Sequence, residues 1–138
     1  MLPQIRPYRQ LVPPQKRGLI RVLLVDDNPN VIATTRMILL TNEDIEVVGD
    51  AGDGEKSLEA VQRLRPDVVV MDGRMPRMDG AEATRQILRK FPETRVVALS
   101  IGDDIELIGR MERAGARHTV LKGAGPEELS RAIRTAVN

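Results

Sequence analysis

A strict alternation constrains this chain more than any other feature. Five short apolar runs, Val22 to Val25, Ile45 to Val48, Val68 to Met71, Val96 to Leu99 and Thr119 to Leu121, alternate with amphipathic stretches. The runs are strand-length, and most are rich in β-branched residues. Between them, apolar residues recur at helical spacing: Val31, Thr35 and Ile38; Ala83, Ile87 and Phe91; Leu129, Ala132, Ile133, Ala136 and Val137. Asn28-Pro29 supplies an N-cap with a first-turn proline, and Asp79 with Glu82 and Asp103 with Glu106 have the three-residue spacing of a capping box. Gly125-Pro126-Glu127-Glu128 opens the last helix with acids at its positive end. Right-handed crossovers carry the helices of such a βα series to both faces of a parallel sheet. The expectation is therefore an α/β, doubly wound, five-stranded parallel sheet with five helices and no second domain.

A chain of 138 residues, 41% of them hydrophobic, can bury one ordinary core. It has no cysteine, which excludes disulfides, thiolate metal sites and cysteine nucleophiles and agrees with a cytoplasmic location. No apolar run reaches the length of a membrane span, so no membrane partner is expected. Residues 1–18 differ from the rest: Arg6, Arg9, Lys16 and Arg17 stand there without an acid, so without them the net charge falls from +1 to −3. Pro3, Pro7, Pro13 and Pro14 block helix and central strand in the same segment. Residues 1–18 are expected to be a disordered basic arm, with a nucleic-acid-binding arm as the alternative, and residues 19–138 the folded domain.

In a parallel sheet all C-terminal strand ends share one edge, where open α/β folds bind their ligands. Asp26 and Asp27 follow the first run, Asp72 the third, Ser100 the fourth and Lys122 the fifth. Taken singly, each has an ordinary structural explanation: an acid pair capping a helix, a loop hydroxyl, a solvated lysine. Jointly they bring three carboxylates, a hydroxyl and an amine to one edge. Two carboxylates about 4 Å apart repel by about 4 kcal/mol at an effective dielectric of 20, so the cluster needs a raised pKa or a cation. An oxygen-only donor set suits Mg²⁺ rather than zinc.

Asp26-Asp27, Asp72 followed by Met75-Pro76 and Asp79-Gly80, Gly54-Glu55 before a helix, Ser100 after an apolar run and Lys122 in VLKG together resemble the receiver domain of bacterial two-component response regulators. The resemblance covers about Leu19 to Val137. Lys122-Gly123 in place of Lys-Pro, with LS, GAR and GPEELSRAI, is most similar to the NarL/FixJ-type receivers, which usually precede a LuxR-type helix-turn-helix. This resemblance implies a flavodoxin-like (CheY-like) fold with strand order 2-1-3-4-5. It implies that Asp72 takes a phosphoryl group from a cognate histidine kinase. Mg²⁺ would then be held by Asp27 and Asp72 directly, by the backbone carbonyl of Arg74 and by Asp26 through water. Ser100 and Lys122 would contact the phosphoryl oxygens, and Ser100 and Thr119 would form the switch, altering partner or homodimer contacts through the helix face from about Asp103 to Ala114. DNA would be reached only through an output domain that this chain does not contain.

Two positions depart from the family pattern. Thr119 stands where Tyr or Phe is common, and Gly73 follows Asp72 where a larger apolar residue is usual. Arg74, two residues beyond Asp72, is long and cationic and could shield a phosphoryl group from water, or simply be solvated. GDAGDGEKS, residues 49–57, is not a Walker A loop, because Glu55 separates Gly54 from Lys56 and Asp50 and Asp53 would repel phosphates. His118 is the only histidine and has no second imidazole to join it at a metal. Two readings compete with the phosphorylated, non-turnover receiver. One is an aspartyl-phosphate hydrolase, which would want an acid at position 74; the other is a phosphorylation-independent pseudo-receiver that acts as a dimerisation or docking module.

Overall fold

The computed structural model describes residues 18–138. The basic segment therefore lies, apart from Gly18, outside the described residues. The elements are β1 (Ile20–Val25), α1 (Pro29–Leu40), β2 (Ile45–Ala51), α2 (Gly54–Leu64), β3 (Val68–Asp72), α3 (Gly80–Lys90), β4 (Arg95–Ser100), α4 (Ile105–Ala114), β5 (His118–Leu121) and α5 (Pro126–Ala136). All strand pairs are parallel, in the order β2-β1-β3-β4-β5, as expected.

Side-chain alternation along the strands divides the core into two layers. Leu23, Val25, Val69, Met71, Val96 and Ala98 pack with α2, α3 and α4. Val22, Leu24, Val68, Val70, Val97, Leu99 and Val120 pack with α1 and α5. Covered on both sides, β1 and β3 are buried at every position, and their sequences are apolar except for Arg21 in β1 and the terminal Asp72 of β3. No helix among the described residues is long and apolar enough to cross a membrane.

The caps fall where side-chain chemistry puts them. The Asn28 side chain accepts from the Asn30 N–H, Asp53 from Lys56 and Asp79 from Glu82. One cap differs from expectation: α4 is capped by Asp104, whose Oδ1 accepts the Leu107 N–H at 3.1 Å, while Asp103 contributes its backbone carbonyl to the Ile105 N–H. Either acid has the right chemistry, and only the backbone path decides which carboxylate meets the third helical N–H. The buried stripe of α1 also differs. Thr35 and Leu39 are its fully buried residues, Val31 and Ile38 are half-buried, and Met37 and Leu40 face solvent.

Candidate functional site at the carboxyl ends of the strands

Asp72 is the last residue of β3 and Ser100 the last of β4, so both belong to the sheet rather than to the loops after it. Ladder bonds hold this edge: the Gly73 N–H donates to the Leu99 carbonyl at 3.1 Å, and the Lys122 N–H to the Ser100 carbonyl at 2.7 Å. Gly80 fixes the loop after β3 from the other side. Its N–H donates to the Gly73 carbonyl at 3.0 Å, and a Cβ there would run into the Asp72 carbonyl oxygen. The MDG sequence is thus a backbone contact made by Gly80 together with a helix cap made by Asp79.

Asp26, Asp27 and Asp72 each present an oxygen within 4.8 Å of the others. Asp26 and Asp72 are buried and Asp27 is exposed. The Lys122 ammonium reaches between the two buried acids, 3.1 Å from Asp26 Oδ2 and 3.0 Å from Asp72 Oδ1. Asp72 Oδ1 also accepts the Arg74 N–H at 3.2 Å, and Asp26 Oδ1 accepts the Asn28 N–H at 2.9 Å. Asp26 Oδ2 is buried and in ion-pair range of Lys122, yet accepts no hydrogen bond of proper geometry among the described residues. One ammonium against three carboxylates leaves charge unbalanced, and an under-coordinated buried oxygen faces the cluster. An oxygen-seeking hard cation fits this donor set.

Burial pushes the Asp72 carboxyl above the ordinary aspartate range; the Lys122 contact opposes this and the neighbouring Asp26 charge adds to it. For Lys122, burial works against the charged form, but the contacts with Asp72 and Asp26 prevail and hold the ammonium above the ordinary lysine range. The site therefore keeps a fixed cation beside an acid whose negative charge is disfavoured.

Ser100 is buried at the same sheet edge, and among the described residues its Oγ has no hydrogen-bond partner. Thr119 pairs with Ala98, two residues back from the strand ends, and its buried Oγ1 is likewise without a partner among the described residues. The Thr119 hydroxyl makes no hydrogen bond to the acids. Arg74 turns its side chain to the solvent side and pairs with Asp104. In a similar contact, Arg110 of α4 pairs with Asp79. These last two ion pairs, and the contact of Leu107 with Gly73 between them, were not foreseen from sequence. The three-residue spacing of positions 104, 107 and 110 places them on one helix face, and that spacing was the signal available.

The sequence pattern of the response regulator receiver domain matches residues 22–134. Response regulator GacA of Pseudomonas viridiflava is 42% identical over 116 residues, covering 84% of this chain and 54% of that protein. The chain thus spans about half the length of such relatives. A LuxR-family two-component response regulator from Aurantimonas sp. SI85-9A1 superposes with a TM-score of 0.81 at 30% identity, covering 86% of this chain and 85% of that one. The signal receiver domain of the response regulator NarL from Mycobacterium tuberculosis also gives 0.81 at 30% identity, covering 87% and 97%.

Proposed function

The chain belongs to the response regulator receiver domain family, and on that premise we propose that Asp72 accepts a phosphoryl group from the phosphohistidine of a histidine kinase. The observation that carries the reading is the Lys122 ammonium bridging two buried carboxylates at one strand edge. Asp72 Oδ1 is engaged by the Arg74 N–H and by Lys122, which leaves Oδ2 as the attacking oxygen. Its attack on phosphorus forms the P–O bond and breaks the P–N bond, whose electron pair stays on the imidazole nitrogen of the donor. Lys122 lies within reach of the arriving oxygens, and the Ser100 Oγ, without a partner among the described residues, can donate to one of them. Asp26, Asp27, Asp72 and the Arg74 carbonyl would hold Mg²⁺, which supplies positive charge against that of the phosphoryl group.

The chain's own phosphorylation is a stoichiometric event followed by reset, so it acts as a switch rather than a turnover enzyme. A two-state shift of the α4 face would change contacts with a partner or a second copy. The output proposed is transcription, through a DNA-binding part of a longer protein; relatives named as transcriptional regulatory proteins support this reading. We take residues 19–138 as the receiver; the basic segment, apart from Gly18, lies outside the described residues.

Intact mass after incubation with acetyl phosphate and Mg²⁺ tests the reading. A phosphate-sized gain in wild type and none in Asp72→Ala is expected. No gain in a folded wild type would overturn it in favour of a docking module that works without phosphate.

A further inference from the structure

The loop that follows Asp72 is fastened to α4 by three contacts on one helix face. Arg74 of the loop pairs with Asp104, the α4 N-cap; Leu107 packs against Gly73; and Arg110 pairs with Asp79 of the loop. Gly73 is what admits Leu107, since a Cβ there would lie 2.7 Å from Leu107 Cδ2. All of these residues except Asp104 also wall a cleft of about 300 Å³ that Asp27 lines as well. The Arg74 backbone is anchored to Asp72 Oδ1, so its side chain starts next to the carboxylate. Its guanidinium is nevertheless drawn to Asp104, and the side chain is 69% exposed, held by that single carboxylate.

We infer that Arg74 is a shared cation, held by Asp104 in the resting domain and claimed by the phosphoryl group once Asp72 is modified, so that Asp104 is a positioning residue that sets how long phospho-Asp72 survives. The inference rests on the phosphorylation of Asp72 proposed above. A phosphoryl group carries about −1.5 to −2 charge against the single charge of Asp104, so it competes for the guanidinium on favourable terms. An Arg side chain over the phosphoryl oxygens blocks the approach of water. In hydrolysis, water attacks phosphorus, the P–O bond to Asp72 breaks, the carboxylate returns and inorganic phosphate leaves. Every interval that Arg74 spends on Asp104 leaves that approach open. The exchange also takes from α4 one of its three fastenings to the loop, which ties the lifetime of the phosphoryl group to the freedom of the helix.

Asp104→Asn separates charge from capping, because Asn is an equally good N-cap while it no longer holds a guanidinium as an ion pair. The full chain and its variants Asp104→Asn, Asp104→Glu, Arg74→Ala and the double variant Asp104→Asn with Arg74→Ala are charged with acetyl phosphate and Mg²⁺, freed of donor, and followed by intact mass. Asp104→Asn is expected to lengthen the lifetime about two- to five-fold, the range of one exposed ion pair. Arg74→Ala is expected to shorten it, the double variant to match Arg74→Ala, and Asp104→Glu to return towards wild type. Thermal melts confirm that each variant is folded. A lifetime unchanged in Asp104→Asn, or one lengthened equally without Arg74, overturns the inference while leaving phosphorylation standing. A wild type that takes up no phosphate overturns both.

Discussion

Replacing Asp72 by Asn should stabilise the metal-free protein at pH 7. Asn keeps the size of the side chain and an acceptor for the Arg74 N–H and Lys122, and removes only the charge. At an effective dielectric of 20, the repulsion between the buried Asp26 and Asp72 at 4.8 Å or less is at least about 3.5 kcal/mol. Exposed Asp27, screened as in water, adds about 0.9 kcal/mol. Against these stands the attraction of Lys122 at 3.0 Å, about 5.5 kcal/mol on the same scale. The Coulomb contributions alone would favour the carboxylate by at most about 1 kcal/mol. Dehydration decides the sign: Asp72 is 3% exposed, and burying an ion costs several kcal/mol. The raised pKa has that sign and the same first cause. A net gain of about 1–3 kcal/mol follows for Asp72→Asn, or about 3–10 °C in Tm for a domain of this size.

The pH dependence gives the sharper test. Below the ordinary value of 3.8 the carboxyl is neutral in both folded and unfolded states, so wild type and Asp72→Asn converge. As pH rises, the unfolded chain ionises first and the folded one lags, so the wild-type deficit grows until pH passes the raised folded value and is constant above it. Thermal melts in chelator at neutral and acidic pH measure the gap, and added Mg²⁺ should narrow it by stabilising wild type. A variant no more stable than wild type at pH 7, or a gap that does not shrink in acid, would refute the reasoning.

Two glycines of the loop after β3 should respond differently to alanine. Gly80→Ala drives a Cβ into the Asp72 backbone and should cost about 2–4 kcal/mol by urea denaturation. Gly73→Ala meets the buried side chain of Leu107, which can shift where backbone cannot, and should cost less, about 1–3 kcal/mol. Ile133, fully buried under the sheet, should lose about 2–5 kcal/mol as Ile133→Ala in the same assay. Arg134 holds Asp44 through two hydrogen bonds, at 2.7 and 2.9 Å, and these place the Asp44 carboxyl below its usual range. Because that pKa is depressed, the stabilisation is present above 3.8 and is lost as pH falls through the folded value. Both side chains are more than two-fifths exposed, so Arg134→Met should cost under about 1 kcal/mol at neutral pH and less in high salt; a larger, salt-independent loss would contradict this.

The strands could be read from sequence because burial on both faces leaves no polar alternation to confuse: Val68 to Met71 admits little else. Helix starts were legible where one capping acid stood alone, as at Asp79. They were not where Asp103 and Asp104 compete, since both have the same chemistry. Along α1 the apolar residues run nearly all round the helix, so periodicity could not say that Leu39 goes inward and Leu40 outward. The depth of Thr119 was also hidden, because it depends on pairing with Ala98 rather than with the strand ends.

By itself, then, the sequence determined the βα order, the parallel sheet and the arrival of Asp26, Asp27, Asp72, Ser100 and Lys122 at one edge, because strand polarity and crossover handedness follow from local patterns. Tertiary structure alone decided which charges meet. Lys122 comes from β5, the far edge of the sheet, and reaches Asp26 at the end of β1 across two intervening strands; Arg74 turns to Asp104, thirty residues away, and not to the adjacent carboxylate. Such pairings depend on distances of a few ångströms between segments remote in the chain, and no periodicity or spacing encodes them.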